Sequence, residues 1–382
     1  MTAAARNVRA RPVLADASRI VVKIGSSLLV DSRTGSLNRS RLESLADEIA
    51  RLRARDQQVM IVSSGAIALG RRYLGLKAHQ SRLEDHQAAA AAGQVLLAHA
   101  YQELLGERNI KIAQILLTPD DTENRRRYLN ARNTLETLLR LGVVPVINEN
   151  DTVATQEIRY GDNDRLGARV AEMTSADCLI LLSDVDGLYD ADPSGTDEAI
   201  LIPEVHEITP RVESLAGEAV TAFGSGGMVT KLAAAKICMA AGCATLIANG
   251  HKPHPIEAAE GGSPCTWFVP RSTPRTARKH WIAGTLTPRG RLVIDAGAER
   301  ALIDGRSLLP VGVVSVDGNF QRGDAVSIFG ADGRDIARGL TSYSSVDARI
   351  LQGQRSEEIE KLLGYAGRDE IVHRDNLALL DG

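Results

Sequence analysis

Along residues 19–250, short continuous apolar runs alternate with longer stretches whose apolar residues recur every three or four positions. The short runs are "RIVVKI", "QVMIVS", "IAQILL", "VVPVIN", "CLILLS" and "ATLIAN", which read as buried strands. Between the first two, Leu42, Leu45, Ile49 and Leu52 repeat at helical spacing behind Asn38 and Ser40, either of which can cap. "EDHQAAAAAGQVLLAHAYQELLGE", "ENRRRYLNARNTLETLLRLG" and "GMVTKLAAAKICMAAG" read as further helices. Strand and helix in rotation predict an α/β fold, a mainly parallel open sheet with helices on both faces. Ligands of such sheets lie beyond the carboxyl ends of the strands, so the residues that follow each run carry most of the functional information.

The rotation fails near residue 250. Residues 250–284 are rich in Pro, Gly and polar residues without a sustained period, and residues 261–294 hold basic side chains and no acid. From about 285 short apolar runs alternate with turns, and "VDGN" and "ADGR" are hairpin signals. The expected organisation is a disordered leader over 1–17, an α/β domain over 18–284 whose last part is irregular, and a small mostly β domain with a tail over 285–382.

Length and composition bound the rest. The chain of 382 residues has room for two or three domains, with 44% hydrophobic and 24% charged residues. A formal net charge of -3 argues against a whole-protein electrostatic surface for nucleic acid. No apolar run approaches the roughly 20 residues that span a bilayer, so no membrane is expected. Cys178, Cys238, Cys243 and Cys265 form no C-x-x-C pair, and Cys178 and Cys238 fall within apolar elements, which suits a reducing cytoplasm.

The strand ends hold the candidate chemistry. Lys23 is the charged residue near the end of the first strand, beside Gly25, Ser26 and Ser27. After the second strand, Ser63, Ser64 and Gly65 lead into an apolar helix, where backbone N–H groups and a hydroxyl suit an anion; an ordinary serine cap accounts for the same residues. After the fourth, Asn148, Glu149, Asn150 and Asp151 crowd together, and Asp162, Asn163 and Asp164 precede another helix. Such amides and carboxylates can recognise an amino group and a carboxylate, and Asp162 or Asp164 can alternatively take water held by Mg²⁺. Ser183 and Asp184 end the fifth strand within reach of a nucleotide. "FGSGGMVTK" places three glycines and Lys231 at a helix start, free N–H donors suited to phosphates, although it matches neither the Walker nor the dinucleotide pattern. Two lysines flanking glycine-containing turns at one sheet edge fit phosphoryl transfer, which needs positioning and fixed positive charge.

"VVKIGSS", "VSSGAIALG", "PVINENDTVATQEIRYGDNDRLGARVA", "LLSDVDGLYDADP" and "GSGGMVTKLAAAKI", in this order, resemble the amino acid kinase family, over essentially residues 18–250. The "NEND" and "GDND" segments are similar to its members that act on glutamate. "GRSLLPVGVVSVDGNFQRGDAVSIFGADGRDIARGL" resembles a PUA domain. The resemblance implies an amino acid kinase fold and ATP-dependent phosphorylation, with Mg²⁺, of the γ-carboxylate of L-glutamate to γ-glutamyl phosphate, the first step of proline biosynthesis. It implies that Lys23 and Lys231 stabilise the phosphoryl group and that Asp164 holds both lysines. It assigns Ser64, Asp151, Asn163 and Asn148 to glutamate. To ATP it assigns Lys23, Ser183, Asp184 and residues 225–231, namely Ser225, Gly226, Gly227, Met228, Val229, Thr230 and Lys231. It also implies a homo-oligomer in the cytoplasm, proline as feedback inhibitor, and transfer of the product to a γ-glutamyl phosphate reductase. The metal ligands stay unassigned. A carboxylate nucleophile is already ionised at neutral pH, so no strong general base is required. Two rivals remain open: a family member acting on another carboxylate or phosphate, and a protein that chiefly binds RNA through its PUA domain.

Overall fold

A computed structural model describes residues 13–380 apart from 32, 77–81, 154–162, 194, 197, 218–226 and 285. The chain divides into two compact units, Met1–Pro274 and Arg275–Gly382, a boundary ten residues earlier than the pattern suggested. Residues 1–12 of the expected leader lie outside the described residues, but its last part is structured. Leu14 opens a short 3₁₀ turn, Leu14–Asp16, and packs into the core of the first unit.

The first unit is built on an eight-stranded sheet. Its strands are β1 (Arg19–Ile24), β2 (Gln58–Ser63), β3 (Ile112–Leu117), β4 (Val144–Glu149), β5 (Cys178–Ser183), β6 (Glu204–Val205), β7 (Ala244–Asn249) and β8 (Cys265–Phe268), in the order β3-β4-β2-β1-β5-β7-β8-β6. The six apolar runs coincide with β1 to β5 and β7 to within one residue, and all six pair in parallel. β8 returns antiparallel to β7, and β6 pairs with it in parallel. The segment read as irregular therefore holds a strand and two helices, Pro255–Glu260 and Pro274–Gly284.

Alternation along β1 sorts its side chains between two cores. Ile20, Val22 and Ile24 pack with Leu42, Leu45, Ile49, Leu97 and Tyr101 from helices Arg39–Ala54 and Leu83–Gly106. Val21 joins Val170, Ala171, Leu232 and Ala235 from helices Asn163–Thr174 and Met228–Ala240. Lys23 shares the face of Val21, and a Cβ added at Gly167 would lie 3.5 Å from the Lys23 Cβ. The lysine stem thus runs beneath the first turns of helix Asn163–Thr174. Asn38 caps helix Arg39–Ala54 through its side chain, which accepts from the Arg41 N–H, while Ser40 donates to Asn38.

Two glycines hold the turn after β2 in place. Gly65 has φ +98°, which lets the strand end pass directly into helix Ala66–Leu74. That helix meets Leu83–Gly106 so closely that a Cβ at Gly93 would sit 1.7 Å from the Ala66 carbonyl oxygen. Any larger residue there would push the helix, and Ser64 with it, off its position.

The second unit carries a five-stranded sheet of β9 (Gly290–Ile294), β10 (Val313–Gly318), β11 (Ala325–Phe329), β12 (Asp335–Thr341) and β13 (Val372–Leu379), in the order β10-β9-β11-β12-β13. Its own core gathers Leu292, Ile294, Phe320, Val326, Ile328, Tyr343 and Val372.

Candidate active site

The carboxyl ends of β1, β2, β4 and β5 lie on one edge of the parallel sheet, and the polar residues that follow them form two connected clusters. Both are organised by the first two residues of helix Asn163–Thr174.

Asp164 organises the ionic cluster. Its carboxylate, 1% exposed, lies 2.5 Å through Oδ1 from the Lys23 Nζ and 3.3 Å through Oδ2 from the Lys231 Nζ. Lys23 and Lys231 are themselves 7% and 4% exposed. Thr230 donates from Oγ1 to Asp164 Oδ2 at 2.9 Å. Burial alone would raise the Asp164 carboxyl, but the adjacent Lys23 and Lys231 charges and the donated hydrogen bonds outweigh it, and its pKa falls below the ordinary carboxylate range. Two ammonium groups against one carboxylate leave an excess positive charge at the edge of the sheet. Such a centre suits an anion whose charge grows during reaction. Both Asp164 oxygens face lysines, so the residue does not fit the alternative role of taking metal-bound water; Asp162 lies outside the described residues.

Asn163 organises the neutral cluster. Its Nδ2 lies 3.0 Å from the Ser63 carbonyl, 2.8 Å from Ser64 Oγ and 3.0 Å from Asn148 Oδ1, so two hydrogens serve three acceptors. Asn148 accepts on the same oxygen from the Glu149 N–H at 2.9 Å, and donates to Gln94 Oε1 at 2.8 Å. Asn163 Oδ1 is buried without a hydrogen-bond partner among the described residues. Asp151 stands just past β4 on a 3₁₀ turn, Asp151–Val153; burial pushes its carboxyl up to about 6.

Ser183 donates to Asp184 Oδ1 at 2.9 Å at the end of β5, with Ser183 buried and Asp184 exposed. Gly227 is the N-cap of helix Met228–Ala240, and its carbonyl oxygen also lies 2.9 Å from Thr230 Oγ1, so one hydroxyl hydrogen serves two acceptors. Met228 is half-buried at the start of that helix and Val229 points outward, 42% exposed. Ser225 and Gly226 lie outside the described residues. The structure thus brings Lys23, Asp164, Thr230 and Lys231 into one cluster, and Ser64, Asn148 and Asn163 into the other. The sequence reading passed over Gln94 and gave Thr230 only a nucleotide role. A cavity of about 370 Å³ opens beside this edge on the opposite face of β1, lined by Ile24, Leu28, Arg41, Leu182, His251 and Lys252. Lys23, Lys231 and Asp164 do not line it.

Residues 18–249 match the model of the amino acid kinase family, and residues 290–363 match that of the PUA domain. The chain belongs to the amino acid kinase family, and a PUA domain follows its kinase part. It is similar to Glutamate 5-kinase of Paramagnetospirillum magneticum, with 60% identity over 96% of this chain and 99% of that protein. The Glutamate 5-kinase of Rhodospirillum rubrum is 59% identical over 94% of this chain and 96% of its own. Glutamate 5-kinase 1 of Rhizobium meliloti is 56% identical over 97% and 94%. A crystal structure of UMP kinase from Ureaplasma parvum superposes on 66% of this chain and 98% of its own, with 17% identity and a TM-score of 0.47, a likeness too low to carry an argument.

Proposed function

We propose that this chain transfers the γ-phosphoryl group of ATP to the γ-carboxylate of L-glutamate, giving γ-glutamyl phosphate and ADP, the entry step to proline. The observation that carries the proposal is the buried Lys23–Asp164–Lys231 cluster at the carboxyl edge of the sheet. In the transfer a γ-carboxylate oxygen forms a bond to the γ-phosphorus as the bond from that phosphorus to the bridging oxygen breaks. Lys23 and Lys231 neutralise charge on the transferred group and the leaving oxygen, while Asp164 and Thr230 hold the lysines at fixed separation. The glutamate carboxylate needs no proton removed, which agrees with a centre built from ammonium groups rather than a general base.

Asn163 and Asn148 hold the amino-acid end. The unpartnered Asn163 Oδ1 and the Asp151 carboxylate are acceptors for the α-ammonium, and Ser64 completes that side. Ser183, Asp184 and residues 225–231 take ATP. Among the described residues, no group of three or more His, Cys, Asp or Glu side chains has the arrangement of a metal site. Mg²⁺ enters this edge as an ion carried by the ATP phosphates, a mode that needs only one or two protein carboxylates; Asp184, exposed at the end of β5, would help hold it, and the ion would neutralise phosphate charge there. The family resemblance adds proline as an inhibitor, a homo-oligomer and residence in the cytoplasm. No helix among the described residues is long and apolar enough to cross a membrane.

The alternative reading, RNA binding through the PUA domain, draws on that domain and on the basic stretch before it. In the basic stretch, Arg271 pairs with Glu207, Arg278 donates to the Asp375 carbonyl and to Asn376, and Arg291 stacks over the Phe329 ring. These side chains have partners within the chain, although Arg271, Arg275, Arg289 and Arg291 remain exposed.

The test is ATP-dependent hydroxamate formation with hydroxylamine. A hydroxamate from glutamate, and none from aspartate or N-acetylglutamate, is the expected result. Reaction with a control instead would move the substrate assignment within the family, and no reaction from a folded, ATP-binding protein would overturn the proposal.

A further inference from the structure

Gln94 lies on helix Leu83–Gly106 in a buried stripe with Ala89, Ala90, Gly93 and Leu97, where a polar side chain needs a reason. It is 8% exposed. We infer that Gln94 is a positioning residue for the glutamate site, acting through Asn148 on Asn163; the inference rests on the function proposed above.

The argument begins from hydrogen-bond polarity. An amide side chain can in general be turned over, exchanging its donor for its acceptor. Two backbone groups forbid that here. The Ser63 carbonyl can only accept, so the end of Asn163 that meets it at 3.0 Å is the NH₂ group. The Glu149 N–H can only donate, so the Asn148 atom that meets it at 2.9 Å is Oδ1. Asn148 must then turn its NH₂ group away from that oxygen, into the helix packed over it. Gln94 Oε1, at 2.8 Å, is the acceptor that receives it.

The result is a chain of three amides with one direction of donation, Asn163 to Asn148 to Gln94. At one end Asn163 Oδ1 faces away from its own donors as a buried acceptor without a described partner. At the other end Gln94 Nε2 is a buried donor without one. Gln94 is the only side chain given to the Asn148 NH₂ group among the described hydrogen bonds. Without Oε1 that group is a buried unsatisfied donor, and Asn148 relieves the cost by rotating. Rotation withdraws Asn148 Oδ1 from Asn163 and loosens the acceptor that Asn163 presents to the α-ammonium. The ionic cluster hangs from Asp164 and shares no hydrogen bond with Gln94, so the phosphoryl-transfer end stays in place.

The experiment measures steady-state kinetics of the full chain for Gln94→Met, which keeps size and shape but removes the acceptor. The expected result is a KM for glutamate raised about tenfold, with kcat and the KM for ATP within about threefold of the parent. Combined with Asn148→Ala, it adds little to the KM of Asn148→Ala alone, because Gln94 acts through that residue. Gln94→Glu, which retains an acceptor, keeps the glutamate KM within about threefold of the parent. An unchanged KM in Gln94→Met, a loss confined to kcat, or independent effects of the two substitutions would each overturn the inference. If Gln94→Met does not fold, a Gln94→Glu protein that folds but raises the KM tenfold would do so too. Parent protein without glutamate-dependent activity would instead remove the functional reading beneath it.

Discussion

Asn163 and Asp164 are neighbours in sequence, both buried at the start of one helix, yet they anchor two different kinds of polar structure. Asp164 binds two lysines and a threonine hydroxyl through charge. Asn163 binds a carbonyl, a hydroxyl and a second amide with no formal charge involved. The division follows the work proposed for each end. Where charge is redistributed during the reaction, fixed ions stabilise it. Where a substrate has only to be oriented, neutral amides supply direction without the desolvation penalty of buried ions. One helical turn keeps the two ends in register, so the proposed positioning of the amino acid and neutralisation of the phosphoryl group are tied to the same backbone.

The comparison breaks most sharply at the lysines. Lys231→Ala should lower kcat by about 10³-fold while the glutamate KM stays within about threefold. A KM effect with kcat preserved would place the lysine in ground-state binding and merge the two clusters. Asp164→Asn should be the next largest effect, and here stability is the readout. It leaves two buried ammonium groups facing a neutral amide, a loss of about 3–5 kcal/mol, visible as a fall in Tm of about 10 °C. An unchanged Tm would mean that the lysines do not depend on this carboxylate.

Asn163→Ala sharpens the other side. The glutamate KM should rise about 10- to 100-fold and kcat should change far less, the reverse of the Lys231 pattern. Equal loss of both parameters would show that the two networks are not separable.

The smallest effect is a pH dependence at Asp151. Burial raises this carboxyl to about 6, so the charged form proposed to accept the ammonium is lost as pH falls through about 6. The kcat/KM for glutamate should therefore fall on the acid side of a bend near 6, and Asp151→Asn should remove the bend along with much of the activity. Stability runs the opposite way. Between the ordinary value of 3.8 and about 6 the folded protein holds a proton that the unfolded chain has released. This contribution is present at low pH and is lost as pH rises to about 6. Asp151→Asn should thus raise Tm slightly at pH 7.5, measured by thermal melts.

The sequence by itself determined the parallel sheet. Its central strands are mostly apolar because helices cover both faces, and such runs stand out at once, as "RIVVKI" and "CLILLS" do. It also placed Lys23, Asn148, Asp164 and Lys231 near strand and helix ends, since those breaks in apolar pattern are local. β8 escaped notice because a four-residue strand among Pro and Gly has too few positions to show a period. The turn at Leu14 was hidden similarly, being too short to carry a pattern.

Tertiary structure alone decided which polar residues share partners. That Lys23 and Lys231 meet on the two oxygens of one carboxylate depends on two helices packing over the face of β1 that carries Val21. Gln94 was still less visible, for in an Ala-rich helix a glutamine looks like any surface position. Hydrophobic burial is written into each segment as a local pattern, but a buried hydrogen bond exists only between segments, so its partners appear only once the chain has packed.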